Sequence, residues 1–178
     1  MRIVYLFPTI EEAKGFILER PKASVFVTGV GMAALAATMC RAVKSKRPHL
    51  VILAGVAGTY GEAPFKGEVV EVVDQCVVGL PERYREHYSM EPLTDLRPVK
   101  ANTVDRCGAE AHGADIEEME GAAFFSLCEA LDVEGAEIRA ISNRVGEERS
   151  AWCFDEAVEN LTRWLLENDF EEEGDGEA

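Results

Sequence analysis

Short apolar runs alternate with helix-like segments along most of the chain. The runs predicted to form strands are RIVYLF, ASVFVTGV, HLVILAGVAG, EVVEVVDQCVVGL, KANTV and AEIRAISNRV. The segments predicted to form helices are EEAKGFILER, MAALAATMCRAVKS, GAAFFSLCEALDV and FDEAVENLTRWLLEN. Three of the strand runs contain VILAGV, EVVEVV or IRAISN, which are almost continuously apolar, as is typical of strands covered on both faces. The alternation therefore predicts an α/β fold.

An acid-rich segment, DIEEME at residues 115–120, leads directly into one of these helices. That helix has one apolar face with the i, i+3, i+4, i+7 spacing, formed by Phe124, Leu127, Cys128 and Leu131. The carboxylates of Glu118 and Glu120 could favour the positive N-terminus of the helix. Both are predicted to share one face of a strand, where carboxylates without partners are costly to bury. Hydroxyl groups of a ligand would supply such partners.

The polar stretch from Pro81 to Arg97 shows neither a helical nor a strand period clearly. We expect a loop or a partly helical lid here. A loop of this length in a compact domain is more often functional or mobile than idle.

Composition and charge narrow the class of protein. The chain has 178 residues and 47% hydrophobic content, so we predict a single domain at residues 1–168. The formal net charge is −15 and no basic patch offsets it, which disfavours nucleic acid and anionic membranes as partners. Residues 167–178 carry seven acids and no base, and we predict that residues 169–178 form a disordered acidic tail.

Cysteine and histidine usage argues against metal and disulfide chemistry. The five cysteines are an odd number without a CxxC pair, and the three histidines lack metal-ligand spacing. We therefore predict reduced cysteines and no metal site. The chain opens on strand-like residues rather than a signal segment, and no run of about 18 apolar residues occurs. These features favour a cytoplasmic protein.

Candidate site residues end or directly follow the predicted strands, because ligands of open α/β sheets bind beyond the carboxyl ends of the strands. The clusters at these positions are PTIEE (8–12), TGVG (28–31), AGVAG (54–58), EEME (117–120) and SNRV (142–145). Each cluster has a structural alternative. Glu11 and Glu12 could favour the N-terminus of the helix they begin, and the glycines could mark tight turns.

The order and spacing of these clusters resemble the nucleoside phosphorylase and nucleosidase superfamily over nearly the whole chain. The pieces that carry the resemblance are PTIEEA, GVGMAALAAT, ILAGVAGTYG, EVVEVVD, IEEMEGAAF and RAISNRVGEERSAW. Within the superfamily the pattern is most similar to the futalosine hydrolases, relatives of the methylthioadenosine/S-adenosylhomocysteine nucleosidases. The resemblance implies a single-domain, three-layer α/β/α fold with a central mixed, twisted sheet. It also implies a homodimer or higher homo-oligomer that needs no cofactor.

The resemblance implies roles for several of the acids in cleaving an N-glycosidic bond. The reaction passes through an oxocarbenium-like ribosyl cation and expels a purine, so water must be deprotonated and the ribose diol held. Glu12 matches the carboxylate that activates the water, and Glu120 matches the acceptor for the 2′- and 3′-hydroxyls. Met119 would add apolar contact, and Glu118 would support the backbone or line the same pocket.

Asn143 departs from the adenine-specific nucleosidases, which carry Asp at the matching position of an SD motif. An amide can donate to a 6-oxo group and accept from N7–H, so Asn143, beside Ser142, favours a 6-oxopurine such as hypoxanthine. The structural alternative is a turn-forming Asn after a strand.

The remaining site residues concern the nucleophile and the purine. Superfamily phosphorylases place arginines at the glycine loops, but neither TGVG nor AGVAG carries one, so water is the expected nucleophile. The family counterpart of Arg139 helps to order the water and Glu12, although alternation along the strand does not show which way Arg139 faces. We expect the purine against Val56, Ala57 and Gly58. Trp152 could form an aromatic wall or belong to the core.

The favoured function is hydrolysis of futalosine, a purine nucleoside, to hypoxanthine and dehypoxanthine futalosine. Alternatives are a methylthioadenosine/S-adenosylhomocysteine nucleosidase, a non-catalytic purine nucleoside-binding protein, and a purine nucleoside phosphorylase. The chain is short between EVVEVVD and IEEMEG. This leaves open how the 5′ substituent is covered and whether a second subunit contributes.

Overall fold

The computed structural model describes residues 1–168 and residue 170. The predicted acidic tail, residues 169–178, therefore lies outside the described residues except for Phe170. The ring of Phe170 packs near that of Trp164, with 6.0 Å between the ring centroids.

Eight strands and four helices make up the described part of the chain. The strands are β1 (Ile3–Phe7), β2 (Ser24–Val27), β3 (Leu50–Thr59), β4 (Val69–Val77), β5 (His87–Ser89), β6 (Arg97–Thr103), β7 (Ile116–Glu118) and β8 (Glu134–Arg144). The helices are α1 (Ile10–Glu19), α2 (Met32–Lys46), α3 (Gly121–Ala130) and α4 (Phe154–Glu167). All four predicted helices are present, and each predicted strand run contains a strand.

The sheet is mixed, which confirms the predicted fold class. Strands β2, β1, β3 and β8 run parallel in that order, while β4 pairs antiparallel with β8 and parallel with β6. Strand β7 closes a circuit of paired strands, because it pairs parallel with β6 and antiparallel with β3. Strands β3, β8, β4, β6 and β7 thus form a closed ring of paired strands, and β1 and β2 continue the sheet outward from β3.

Alternating side chains along the central strands face two separate cores, as expected for a sheet between two helical layers. On β3, Val51 and Leu53 pack with α2 and α3, whereas Ile52 and Ala54 pack with α1 and α4. Burial on both faces explains why these strands read as nearly continuous apolar runs.

The closed ring of strands brings the acid-rich segment to the ligand-binding edge. In the β3–β7 pairing, Gly58 lies opposite Glu117, and in the β3–β8 pairing it lies opposite Asn143 after a register shift at Ala57. The carboxyl ends of β1, β3 and β8 meet at the same edge because these strands are parallel. The clusters PTIEE, AGVAG and SNRV therefore lie at the same edge as EEME.

The stretch from Pro81 to Arg97 is mostly a loop, as one of the two expectations had it, and a short part of it joins the edge of the sheet. It holds a short 3-10 turn at Glu82–Tyr84 and the strand β5, which pairs antiparallel with β4. The buried carboxylate of Glu71 accepts hydrogen bonds from the backbone N–H groups of Leu93 and Thr94 at 2.8 and 3.0 Å. None of these residues lines the cleft described below.

Across residues 1–168 and 170, no helix has the length and apolar character needed to cross a membrane.

Candidate active site

A cleft of about 490 Å³ opens at the edge where the strand ends converge. All eleven residues singled out from the sequence line it: Glu12, Val56, Ala57, Gly58, Glu118, Met119, Glu120, Arg139, Ser142, Asn143 and Trp152. A second cleft, of about 500 Å³, lies between α1 and α4. Its polar lining consists mostly of exposed side chains, whereas the first cleft contains several buried carboxylates, so the first is the candidate site.

Glu12 is buried at the first turn of α1, where its carboxylate takes part in capping the helix. Its Oε2 accepts hydrogen bonds from the backbone N–H and the hydroxyl of Thr9, at 3.0 and 2.6 Å, which completes a capping box. Its Oε1 accepts from the backbone N–H of Val56 at 2.9 Å. Burial raises the pKa of the Glu12 carboxyl, although the bond from Thr9 opposes the rise.

Three buried carboxylates surround the single guanidinium of Arg139. Its Nη2 donates to Glu118 at 2.6 Å and to Glu120 at 3.1 Å, and its Nε donates to Glu137 at 2.8 Å. Burial alone would lower the pKa of Arg139, but these carboxylates outweigh it and raise the pKa, so Arg139 stays charged. Three acids against one base leave the cluster with excess negative charge unless a proton is retained.

Hydrogen-bond counting indicates where that proton resides. The hydroxyl of Thr103 lies 2.9 Å from Oε1 of Gln75 and 2.7 Å from Oε1 of Glu118, and it accepts from the backbone N–H of Ala122. A hydroxyl has one hydrogen and can donate to only one of these two oxygens. A proton on Oε1 of Glu118, donated to Thr103, satisfies all the contacts. Consistent with this, burial raises the pKa of Glu118 to about 8, with the charge of Glu137 adding to the rise.

Glu118 and Glu120 differ in the capacity left for a ligand. Oε2 of Glu118 accepts from the backbone N–H groups of Glu120 and Gly121, both at 2.7 Å, as well as from Arg139. Each oxygen of Glu120 accepts a single bond, from the backbone N–H of Gly31 at 2.8 Å and from Arg139. A carboxylate oxygen has about two acceptor positions, so each oxygen of Glu120 can take one further donor.

Arg139 and Glu12 both form hydrogen bonds with the backbone of Val56 and do not bond directly to each other. The backbone N–H of Val56 donates to Glu12, and the backbone oxygen of Val56 accepts from Nη1 of Arg139 at 3.4 Å. The absence of a side chain at Gly55 permits this approach, because a Cβ there would lie 2.7 Å from Nη1 of Arg139 and 3.0 Å from Oε1 of Glu12.

Asn143 is buried with half of its hydrogen-bonding capacity in use. Its Oδ1 accepts from the hydroxyl of Ser142 at 2.8 Å, and its Nδ2 donates to the backbone oxygen of Arg144 at 2.9 Å. A primary amide has two N–H groups and two acceptor positions, so one donor and one acceptor remain for a ligand. Gly58 lies against this amide, and a Cβ there would be 3.0 Å from Nδ2.

The opening of the cleft is formed by residues that sequence reasoning did not single out, apart from Trp152. Arg149 is exposed and its guanidinium lies over the rings of Trp152 and Phe154, at 4.4 and 5.5 Å from their centroids. Cys107 faces the same cleft from a loop whose backbone N–H groups are held by the buried carboxylate of Glu117. These residues lie in loops without a periodic pattern, so no local signal marked them.

No group of three or more potential metal ligands occurs within the part of the chain that the structure describes.

Fold and cleft together define a protein of the nucleoside phosphorylase class. Residues 65–167 match the model of the family described as the phosphorylase superfamily, and the chain belongs to this family. It is 30% identical to a futalosine hydrolase from Thermus thermophilus, over 76% of this chain and 76% of that protein.

Two solved structures illustrate the shared fold. A futalosine hydrolase mutant of Helicobacter pylori superimposes with a TM-score of 0.80 at 14% identity, covering 92% of this chain and 96% of that one. A 5′-methylthioadenosine/S-adenosylhomocysteine nucleosidase of Campylobacter jejuni superimposes with a TM-score of 0.76 at 17% identity, covering 92% and 94%. At these identities the likeness concerns the fold.

Proposed function

We propose that this chain is a nucleoside hydrolase that cleaves the N-glycosidic bond of futalosine, releasing hypoxanthine and dehypoxanthine futalosine. The observation that carries the proposal is that Glu12, Glu120 and Asn143, each with unused hydrogen-bonding capacity, line one cleft of nucleoside size. The relationship to the Thermus futalosine hydrolase supports the choice of substrate.

Glu12 is the proposed general base. Its Oε2 already accepts two hydrogen bonds, while its Oε1 accepts only one and retains a position for a water molecule. The raised pKa makes Glu12 a stronger base than an exposed carboxylate, which favours deprotonation of that water as it attacks C1′. The link through Val56 makes Arg139 a positioning residue for Glu12 in this proposal.

Glu120 is the proposed acceptor for the ribose 2′- and 3′-hydroxyls. Its two oxygens each have one free acceptor position, matching two adjacent hydroxyl donors. Its negative charge also stabilises the positive charge that develops on the sugar. Glu118 has its oxygens engaged by the protein and is assigned to supporting the backbone at Glu120 and Gly121.

Asn143 is the proposed recognition element for the purine. Its free N–H can donate to the 6-oxo group while its free acceptor position takes N7–H of the departing base. A 6-amino group would instead place its own N–H against the free N–H of Asn143, so that two donors would face each other. The neighbouring small residues Ala57 and Gly58 leave room for a flat ring against β3.

Water rather than phosphate is the proposed nucleophile. The two cations that line the cleft are Arg139 and Arg149. The charge of Arg139 is already outweighed by three paired carboxylates, and Arg149 lies at the exposed opening. A phosphate dianion beside the buried sugar would face Glu12 and Glu120 without a free cation, which is unfavourable.

The proposal is tested by chromatographic detection of free base after separate incubation with futalosine, inosine and methylthioadenosine, with and without phosphate. We expect hypoxanthine from futalosine at a rate independent of phosphate. Release of adenine from methylthioadenosine without hypoxanthine from futalosine, or release that requires phosphate, would contradict the proposal.

The variant Glu12→Gln tests the proposed base within the same assay. The amide oxygen of Gln can keep the capping box with Thr9, but its N–H₂ then faces the backbone N–H of Val56, so we expect a loss of about 1–3 kcal/mol in stability and check the fold by circular dichroism. Base release should fall by about 10² to 10⁴-fold. Glu19→Gln, at the far end of α1, is the matched control and should retain full activity. Undiminished turnover by Glu12→Gln would refute the assigned role.

A further inference from the structure

Glu117 is a buried carboxylate in the cleft that the proposed reaction does not use. It is 4% exposed, and among the described residues no Lys or Arg forms an ion pair with it. Its Oε2 accepts hydrogen bonds from the hydroxyl of Tyr60 at 3.0 Å and the backbone N–H of Ala109 at 3.1 Å. Its Oε1 accepts a single bond, from the backbone N–H of Gly108 at 2.7 Å. A carboxylate oxygen has about two acceptor positions, so Oε1 keeps one position for a donor from the cleft.

Strand pairing places Glu117 and Asn143 on either side of Gly58. Gly58 lies opposite Glu117 in the β3–β7 pairing and opposite Asn143 in the β3–β8 pairing. Residues directly opposite each other point their side chains to the same face of a sheet, and all three of these residues line the cleft. Neighbouring strands are about 4.8 Å apart, so the backbones at Glu117 and Asn143 are separated by roughly 10 Å across a residue without a side chain. The two polar side chains therefore flank the position against which the purine is proposed to lie.

One edge of a 6-oxopurine carries groups that match both side chains. N7, O6 and N1 follow one another along this edge, and the proposed contacts of Asn143 are with N7–H and O6. The next group, N1–H, is a donor in a 6-oxopurine. In a 6-aminopurine the same nitrogen has no hydrogen, so its lone pair would face the lone pair of a carboxylate oxygen. A buried polar group that meets no complementary partner is costly, so the base that supplies N1–H is favoured beside Glu117.

The contacts of Glu117 fix the direction of its carboxylate before any ligand binds. The hydroxyl of Tyr60 accepts a hydrogen bond from the amide of Asn102 at 3.1 Å and donates its own hydrogen to Glu117. Burial raises the pKa of the Tyr60 hydroxyl, with Glu117 adding to the rise, so this hydroxyl stays a donor. A carboxylate held by several donors can select a ligand without an additional ordering cost.

We propose that Glu117 is a specificity-determining residue that accepts a hydrogen bond from N1–H of a 6-oxopurine, while Asn143 contacts N7 and O6 of the same base. Adenine lacks the hydrogen that this contact requires, so Glu117 disfavours adenine independently of Asn143. The selection of the base is thus divided between two side chains on opposite sides of Gly58. This inference rests on the proposed function for the placement of the purine.

The test measures how strongly the protein distinguishes two bases. The probes are 9-deazainosine, which carries N1–H, and 9-deazaadenosine, which does not. Their carbon–carbon glycosidic bond cannot be hydrolysed, so binding is measured by calorimetry whether or not the protein is a hydrolase. Base release from futalosine is measured in parallel.

Wild-type protein should bind 9-deazainosine at least about tenfold more tightly than 9-deazaadenosine. Glu117→Gln removes the charge and offers an N–H to a bare N1, so the ratio of the two affinities should fall by at least about tenfold. Tyr60→Phe is the matched control. It removes one bond that holds Glu117 but leaves the free position on Oε1, so any loss of affinity should be equal for both probes and the ratio should not change.

Equal binding of both probes by the wild type, or binding of neither, would overturn the inference without any variant. An unchanged ratio in Glu117→Gln, with or without loss of affinity for both probes, would show that Glu117 only anchors the loop. A shift of the ratio in Tyr60→Phe as large as that in Glu117→Gln would assign the selectivity to the loop and equally overturn the inference. A ratio that depends on Glu117 without release of base would uphold the inference and refute the hydrolase. Release of hypoxanthine from futalosine with a ratio independent of Glu117 would refute the inference and leave the hydrolase in place.

Discussion

The buried proton assigned to Glu118 leads to a prediction about stability. In Glu118→Gln the amide N–H₂ replaces the protonated oxygen and can donate to Thr103, while the amide oxygen accepts the bonds from Arg139 and the backbone. Gln therefore reproduces the neutral acid in shape and in these hydrogen bonds, adds one N–H donor, and cannot ionise. We expect Glu118→Gln to fold and to lose much of the pH dependence of stability.

The sign and size of the effect follow from the pKa of Glu118. Its rise from the ordinary value of 4.5 to about 8 means that the folded state binds more protons than the unfolded chain between these pH values. The free energy of unfolding therefore falls as pH rises through this window, and below 4.5 the contribution is fully present. At about 1.4 kcal/mol per pH unit, the total is on the order of 5 kcal/mol, against a typical stability of roughly 5–15 kcal/mol.

The assay is urea unfolding of wild type and variant at pH 5, 6, 7 and 8, followed by circular dichroism. Between pH 5 and pH 8 the wild type should lose roughly 3–4 kcal/mol that the variant does not lose, in addition to any constant difference from the extra N–H. Glu137→Gln is the matched comparison. The two oxygens of Glu137 accept hydrogen bonds from Arg139 and Gln75. In Glu137→Gln the amide N–H₂ must therefore face one of these two donors, and we expect the free energy of unfolding to fall by about 3 kcal/mol or more.

Parallel pH curves for wild type and Glu118→Gln would refute the assignment. If Glu137→Gln flattened the curve instead, the proton would reside on Glu137, with the amide of Gln75 turned to accept from it. Burial also raises the pKa of Glu137, opposed by Arg139, so the two variants together locate the proton.

Three further changes give expected outcomes. Asn143→Asp places a carboxylate oxygen against the backbone oxygen of Arg144, and we expect hypoxanthine release to fall at least about tenfold, measured by chromatography. Gly121→Ala brings a methyl group into the side chain of Gln75, and we expect a loss of about 1–3 kcal/mol in urea unfolding. Glu117→Gln weakens the bonds to the loop at Cys107, and we expect faster reaction of that thiol with a disulfide reagent at unchanged helix content. Unchanged hypoxanthine release, stability or thiol reactivity, respectively, would contradict these expectations.

Several parts of the site could be predicted from local sequence. Glu12 and Glu120 each follow a strand and Asn143 lies at the end of one, and parallel strands in one sheet present their carboxyl ends at one edge. The periods of apolar residues likewise predicted the four helices and the long strands. Such signals are local, because a period of 2.0 or 3.6 residues is visible within one segment.

Tertiary structure decided the features that depend on pairing between distant segments. The direction of Arg139 follows from its register opposite Gly55, whose missing side chain leaves space for the guanidinium. The division of roles between Glu118 and Glu120 depends on contacts with Thr103, Gly31 and Arg139. Because register and contacts of this kind are set by packing across the whole domain, no pattern within a single segment specifies them.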